Sequence, residues 1–201
     1  IYGGDESLKE KYLKRLAGES QVLTALGTID PGPGSGTFSL KTRADLRGDR
    51  YILHAERCFI KNGSIADLLV FYAHTHPSKG NDSINAFVIE KGSPGLICKR
   101  NENKMGMRGI IHSEISLESL EVPLENRMCK EGEGFSNMLK TLGTSRLFTA
   151  AQAVGLAQGA MEEAISYARR RVQFGKTIAH HAPIQFIIAD MAAGIESARL
   201  L

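Results

Sequence analysis

Leu68-Leu69-Val70-Phe71-Tyr72-Ala73-His74 and Ile84-Asn85-Ala86-Phe87-Val88-Ile89-Glu90 enclose the turn-forming stretch Pro77-Ser78-Lys79-Gly80-Asn81-Asp82. Two β-branched and aromatic runs around a Pro/Gly/Asn/Asp cluster read as strand, turn and strand. The same alternation extends outward on both sides. Phe38 to Ala44, Tyr51 to His54 and Ile110 to Leu120 are further runs of this kind, and Arg47-Gly48-Asp49 and Gly92-Ser93-Pro94-Gly95 are further breaks. Such tight spacing, with no helical pattern in between, predicts an antiparallel sandwich or barrel over residues 20–126.

The flanks read differently. Before this region, Ser7 and Glu10 have capping-box spacing. Leu8, Tyr12, Leu13 and Leu16 share a helical face, and Gly18 stands in a favoured stop position. After it, from Gly134, the apolar period becomes helical through Met138, Leu142, Leu147, Val154, Met161 and Ile165. Ala151, Gly155 and Gly159 form a small-residue stripe, read as packing. A loop at Phe174-Gly175-Lys176 precedes Pro183, which suits the first turn of another helix carrying Ile184, Ile187, Ile188, Met191 and Ile195.

Composition bounds the function. The 201 residues are 42% hydrophobic and 23% charged with a formal net charge of +3, which is globular and gives no polyanion-binding signature. A nucleic-acid partner is therefore not expected. No apolar run approaches the roughly 18 residues of a membrane span. Cys58, Cys98 and Cys129 lack metal or disulfide spacing, and the six histidines lack ligand partners, so no metal site and a reducing compartment are expected. The sequence starts without Met and stops inside a helical pattern, and it reads as a piece of a longer protein.

Asp30-Pro31-Gly32-Pro33-Gly34-Ser35-Gly36 is richer in glycine than a plain turn needs, and exposed backbone donors beside a serine hydroxyl suit a phosphate. No helix follows it and it lacks the dinucleotide fingerprint, so ligand loop and plain turn both stay open. Lys104-Met105-Gly106-Met107-Arg108-Gly109 reads as a basic turn before a long strand. Arg169-Arg170-Arg171 reads as a helix end.

The order of several short segments carries more. These are Lys11 to Glu19, the Asp30 to Gly36 loop, Gly48-Asp49-Arg50-Tyr51-Ile52-Leu53, Phe59-Ile60-Lys61-Asn62-Gly63, Phe87-Val88-Ile89-Glu90-Lys91 and Lys104 to Arg108. Val122-Pro123-Leu124-Glu125-Asn126, Gly132-Glu133-Gly134-Phe135, Arg171 to Lys176 and Ala189-Asp190-Met191 follow in turn. Together they resemble the acyl-CoA dehydrogenase family over essentially the whole chain. The resemblance implies an α+β multidomain fold, with an antiparallel β-sandwich or barrel domain between α-helical domains. Residues 1–19 would end the N-terminal helical domain, 20–126 form the middle β domain, and 127–201 begin the C-terminal helical domain.

The same resemblance implies FAD, an acyl-CoA substrate, an electron-transfer flavoprotein as acceptor, and a homotetramer or homodimer; the cysteine usage fits cytoplasm or mitochondrial matrix equally. In the family chemistry a carboxylate removes the α-proton of the thioester while the β-hydrogen leaves as hydride to flavin N5. Carried over position by position, Leu26, Ile29, Gly34, Ser35, Phe59, Ile60 and Lys61 would line the flavin, and Ser35 would also face the CoA arm. Arg171 and Phe174 would reach the FAD of a neighbouring subunit, an arginine suiting pyrophosphate. Arg146 would lie beside the substrate. The base is expected outside this chain, because the alternate position holds Ser145, which is no carboxylate.

Several positions depart from the family pattern. The usual Thr-Glu-Pro begins Ile29-Asp30-Pro31, and the usual Trp-Ile-Thr-Asn reads Phe59-Ile60-Lys61-Asn62. Gly143 and Ala182 replace a polar residue each. If Lys61 faces the flavin ring, its charge favours the reduced, anionic ring; if it turns to solvent, it does not. These departures leave two alternatives beside the dehydrogenase. One is a same-fold flavoenzyme with altered chemistry (oxidase, enoyl-CoA reductase or monooxygenase), and the other is a non-catalytic homologue.

Overall fold

Helix α1 (Glu6–Ala17) is started by Asp5, whose carboxylate accepts a hydrogen bond from the Leu8 amide at 2.8 Å. The Ser7/Glu10 capping box is not used, because Asp5 caps the helix two residues earlier by accepting from the Leu8 amide. Lys14 and Arg15 in the last turn complement the helix dipole. Gly18 follows in an extended conformation, φ −78°, and not in the left-handed stop expected of it. Of the apolar face read from the sequence, Leu8 and Tyr12 are buried while Leu13 and Leu16 are exposed. The computed structural model describes residues 3–18, 21–28, 30–31 and 40–201.

The strands are β1 (Thr24–Gly27), β2 (Arg43–Arg47), β3 (Arg50–Lys61), β4 (Leu68–His74), β5 (Ile84–Glu90), β6 (Leu96–Asn101), β7 (His112–Pro123) and β8 (Arg127–Met128). They form one eight-stranded sheet in the order β6-β7-β3-β2-β4-β5-β8, with β1 paired to β4. Gly48, at φ 63°, makes the β2–β3 turn that the Arg-Gly-Asp cluster predicts. Most pairings are antiparallel, as expected of the alternating runs. Two are not: β1 and β2 each run parallel to β4. Nothing in residue alternation marks that difference. Strand β6, mostly solvent-exposed and polar, also escaped the reading because it lacks an apolar face.

The core lies against one face of this sheet and includes Tyr51, Leu53, Ile60, Phe71, Phe87 and Leu117. Tyr51 and Phe87 meet edge to face, centroids 4.9 Å apart. Strands β4 and β5 are buried on both faces, which is why they read as nearly continuous apolar runs. Their second face is covered by α1, with Leu8 and Tyr12 packed on Leu68 and Val88. The Tyr12 hydroxyl is shared between Glu90 Oε1 (3.0 Å) and Asn126 Oδ1 (3.3 Å), and Asn126 donates to the Val88 carbonyl. Burial pushes the Glu90 carboxyl up, but the Tyr12 hydroxyl and the cationic Lys11 and Arg15 outweigh it, and the net shift is downward.

The chain divides into two compact units, Ile1–Lys140 and Thr141–Leu201. Helix α2 (Gly134–Arg170) begins in the first. Its first residue sits so close to β5 that a β-carbon on Gly134 would meet the Ile84 carbonyl at 2.4 Å and the Asn85 α-carbon at 2.7 Å. The second unit holds the rest of α2, the hairpin β9 (Val172–Gln173) and β10 (Lys176–Thr177), and α3 (Ala182–Leu200), opened by Pro183 as the sequence predicts. Phe174 and Gly175, at φ 54° and 77°, turn the hairpin. No helix among the described residues is long and apolar enough to cross a membrane.

Two outcomes check these contacts. Gly134→Ala overpacks backbone against backbone and should cost about 1–3 kcal/mol in chemical denaturation. Because the folded Glu90 lies below its unfolded value, its contribution is complete above the ordinary glutamate range and is lost as the pH falls through it. Glu90→Gln should therefore flatten the loss of stability between about pH 5 and 3, read by denaturation at each pH.

Candidate cofactor-binding face

On β3 the inward residues alternate as Tyr51, Leu53, Ala55 and Arg57, all buried. A period of two continued would turn Phe59 inward and Ile60 outward. Instead the register of β3 against β7 shifts between Arg57 and Ile60. This bulge sets Phe59 at φ 55°, 56% exposed, and returns Ile60 to the core at 1%. Asn62, at φ 56°, turns the chain immediately afterwards. Lys61, between these two left-handed residues, is exposed, and no carboxylate or hydrogen-bond partner holds its ammonium among the described residues. A bulky aromatic in the left-handed region is uncommon, and such residues cluster at functional sites.

The bulge is anchored by a group the sequence reading did not single out. The Arg57 guanidinium is fully buried and ion-paired through Nη1 with Asp30, itself 6% exposed. Its Nη2 donates to the Tyr72 carbonyl on β4 at 2.8 Å, and Nη1 also donates to the Glu56 carbonyl at 3.3 Å. The Nε has no partner among the described residues. Burial pushes the guanidinium down to about 10, a shift that the neighbouring Cys58 partly opposes. The other Asp30 oxygen accepts from the Lys41 amide at 2.6 Å. A signal for this was present: an arginine on the inward phase of an otherwise apolar strand must find a carboxylate.

The residues expected to line a flavin are placed as follows. Leu26 is half-buried on β1, facing away from the core residues Ala25 and Gly27, and β1 packs against β3. Phe59 and Lys61 are presented outward, whereas the Ile60 side chain is committed to the core, which leaves only its backbone for any ligand. Ile29, Gly34 and Ser35 lie outside the described residues. In the second unit, Arg146, Ser145 and Arg171 are exposed, and Phe174 at the hairpin tip is 92% exposed, edge-on to His181. The first unit thus carries Leu26 on β1 and Phe59 and Lys61 on β3, two strands that pack together without pairing, and the second brings Arg171 and Phe174 to one hairpin. The basic segment 104–109 is a turn closed by its own side chains, Lys104 Nζ donating to the Met107 carbonyl and Arg108 Nε to the Lys104 carbonyl.

The fold defines a class, a predominantly antiparallel β domain bordered in sequence by α-helical segments. Comparison with known proteins gives the family. Residues 25–120 match the family model for the acyl-CoA dehydrogenase middle domain, and residues 132–201 match that for the C-terminal domain. The chain is 56% identical over 201 residues to a cyclohex-1-ene-1-carbonyl-CoA dehydrogenase of Geobacter metallireducens, covering all of this chain and 53% of that protein. It is 44% identical over 202 residues to a caffeyl-CoA reductase-Etf complex subunit of Acetobacterium woodii, with the same coverage. Its backbone superposes on butyryl-CoA dehydrogenase of Megasphaera elsdenii with a TM-score of 0.94 at 39% identity, over 98% of this chain and 51% of that one. The chain belongs to the acyl-CoA dehydrogenase family, and it spans about half the length of the relatives it matches.

The bulge predicts an unequal pair of substitutions. Ile60→Ala should cost about 2–5 kcal/mol as a buried large-to-small change. Phe59→Gly should leave the unfolding free energy within about 1 kcal/mol of the parent, since it removes an exposed side chain and relieves a left-handed one. Parallel urea titrations of the two variants read the difference.

Proposed function

We propose that the full-length protein is an FAD-dependent acyl-CoA dehydrogenase that passes its electrons to an electron-transfer flavoprotein and works as a homotetramer or homodimer. The observation that carries this reading is the family membership of a chain whose β3 bulge turns Phe59 and Lys61 outward. The residues suit the cofactor in kind. Leu26 and Phe59 offer apolar surface to a planar ring, and Lys61 and Arg171 offer cationic charge to a reduced ring and a pyrophosphate. When bound, FAD supplies the hydride acceptor. On this reading Leu26, Phe59 and the Ile60 backbone exclude water and orient the ring, Ser35 and Arg146 hold the thioester, and Arg171 with Phe174 serve a neighbouring subunit's cofactor. Ile29, Gly34 and Ser35 complete the lining. Ser145 cannot act as the carboxylate base, so the base comes from elsewhere in the full-length protein.

Residues 1–19, 20–126 and 127–201 are assigned to the end of the N-terminal helical domain, the β domain and the start of the C-terminal helical domain. For substrate, we favour a cyclic enoyl-CoA thioester, supported by 56% identity to the Geobacter relative named for cyclohex-1-ene-1-carbonyl-CoA. A second reading, reduction of an enoyl-CoA, is favoured by the 44% identity to the Acetobacterium relative named as a caffeyl-CoA reductase-Etf complex subunit. An ammonium of Lys61 beside the ring works against it, because stabilising the anionic reduced form favours oxidation of the thioester.

The test is the absorbance spectrum of the purified full-length protein, titrated anaerobically with cyclohex-1-ene-1-carbonyl-CoA and with saturated acyl-CoA thioesters. Bleaching of the flavin band by the cyclic thioester is the expected result. A folded protein that takes up no FAD, or a flavin that no thioester bleaches, would overturn the dehydrogenase. Lys61→Thr should lower the flavin reduction potential by tens of millivolts, on the order of 1 kcal/mol for a two-electron couple, and an unchanged potential would remove Lys61 from the ring.

A further inference from the structure

We infer that the buried Asp30–Arg57 pair is a positioning device: it sets the β3 bulge that presents Phe59 and Lys61, and through it the affinity of that face for FAD, separately from the stability of the sheet. The inference rests on the flavin reading above only for its ligand. Three observations carry it. The pair is almost fully buried, and a buried ion pair is seldom more stabilising than apolar residues filling the same space. Stability alone therefore gives little reason for a guanidinium at this point of an apolar strand face.

The second observation is what the pair joins. Asp30 follows β1 and holds the Lys41 amide ahead of β2, while Arg57 lies on β3 and holds the Tyr72 carbonyl of β4. One pair thus fixes the mutual spacing of four segments, including both strands assigned to the cofactor face. The third is its place in the ladder. Arg57 is the last residue of β3 in register with β7 before the shift, and its Nη1 folds back onto the Glu56 carbonyl. Directly beyond it the backbone enters the left-handed Phe59 and then returns Ile60 to the core. Arg57 is the fixed point from which the bulge departs. An Nε left without a partner among the described residues fits a group placed for geometry.

The test uses the full-length protein, with hydrogen exchange over residues 57–62 measured before FAD is added and FAD affinity measured after. The double variant Asp30→Leu/Arg57→Met removes both charges and keeps apolar volume. It should melt close to the parent, exchange at least about tenfold faster over 57–62, and bind FAD at least about tenfold more weakly. A folded double variant matching the parent in exchange and FAD affinity would overturn the inference. Should the double variant not fold, Arg57→Lys keeps the charge but loses the planar fork that reaches both Asp30 and the Tyr72 carbonyl. The same two losses are expected of it, and parent-like values would overturn the inference. If neither variant folds, the pair is a folding element only and the inference fails. A parent that takes up no FAD defeats the flavin reading, while the exchange measurement still decides whether the pair sets the bulge.

Discussion

A single guanidinium, Arg57, buried in the sheet and neutralised by Asp30, is the constraint on which the arrangement of the first unit depends. Removing one member of such a pair leaves a charge without water or partner, a loss of about 3–5 kcal/mol, comparable to much of a domain's net stability. The surrounding strands are consequently held to one geometry. β1 must end where Asp30 reaches Nη1, and β4 must offer the Tyr72 carbonyl to Nη2. Apolar side chains tolerate sliding by fractions of an ångström, whereas a two-armed hydrogen-bonded fork does not.

Around this fixed point the sheet has two dissimilar surfaces. One is the core of Tyr51, Leu53, Phe71 and Phe87. The other is divided between α1, which covers β4 and β5 through Leu8 and Tyr12, and a stretch of β3 where the bulge turns residues outward. The Tyr12–Glu90–Asn126 cluster does for α1 what Arg57 does for the strands. It adds directional contacts to an apolar patch that would otherwise fix position only loosely.

Much of this was legible in the residues. The runs Leu68–His74 and Ile84–Glu90 read as strands because burial on both faces leaves no polar phase to confuse them. Pro183 marks the start of α3 by its fixed φ. What escaped has identifiable causes. Strand direction is invisible to a period of two, so the parallel pairing of β1 and β2 with β4 could not be foreseen. Asp5 outcompetes Ser7 as a helix cap because both are good caps and only geometry decides between them. At the proposed site, Leu26, Phe59 and Lys61 are legible only through family resemblance, and the inversion that buries Ile60 and exposes Phe59 leaves no mark in the sequence, since either residue suits a core. Arg57 could have been found from its inward phase alone.

The bulge also bears on how such a sheet can change over generations. Because it removes Phe59 and Lys61 from the packed interior while Ile60 keeps its place there, the two outward positions contribute little to holding the strands together. What constrains them is whatever they face, not the interior. A lineage can try one side chain after another at these points without first acquiring compensating changes in the interior, so ligand preference can diverge while the scaffold stays recognisable. Beside the Trp-Ile-Thr-Asn that it resembles, the segment Phe59-Ile60-Lys61-Asn62 differs at the two outward positions and keeps the Ile60 that the interior holds.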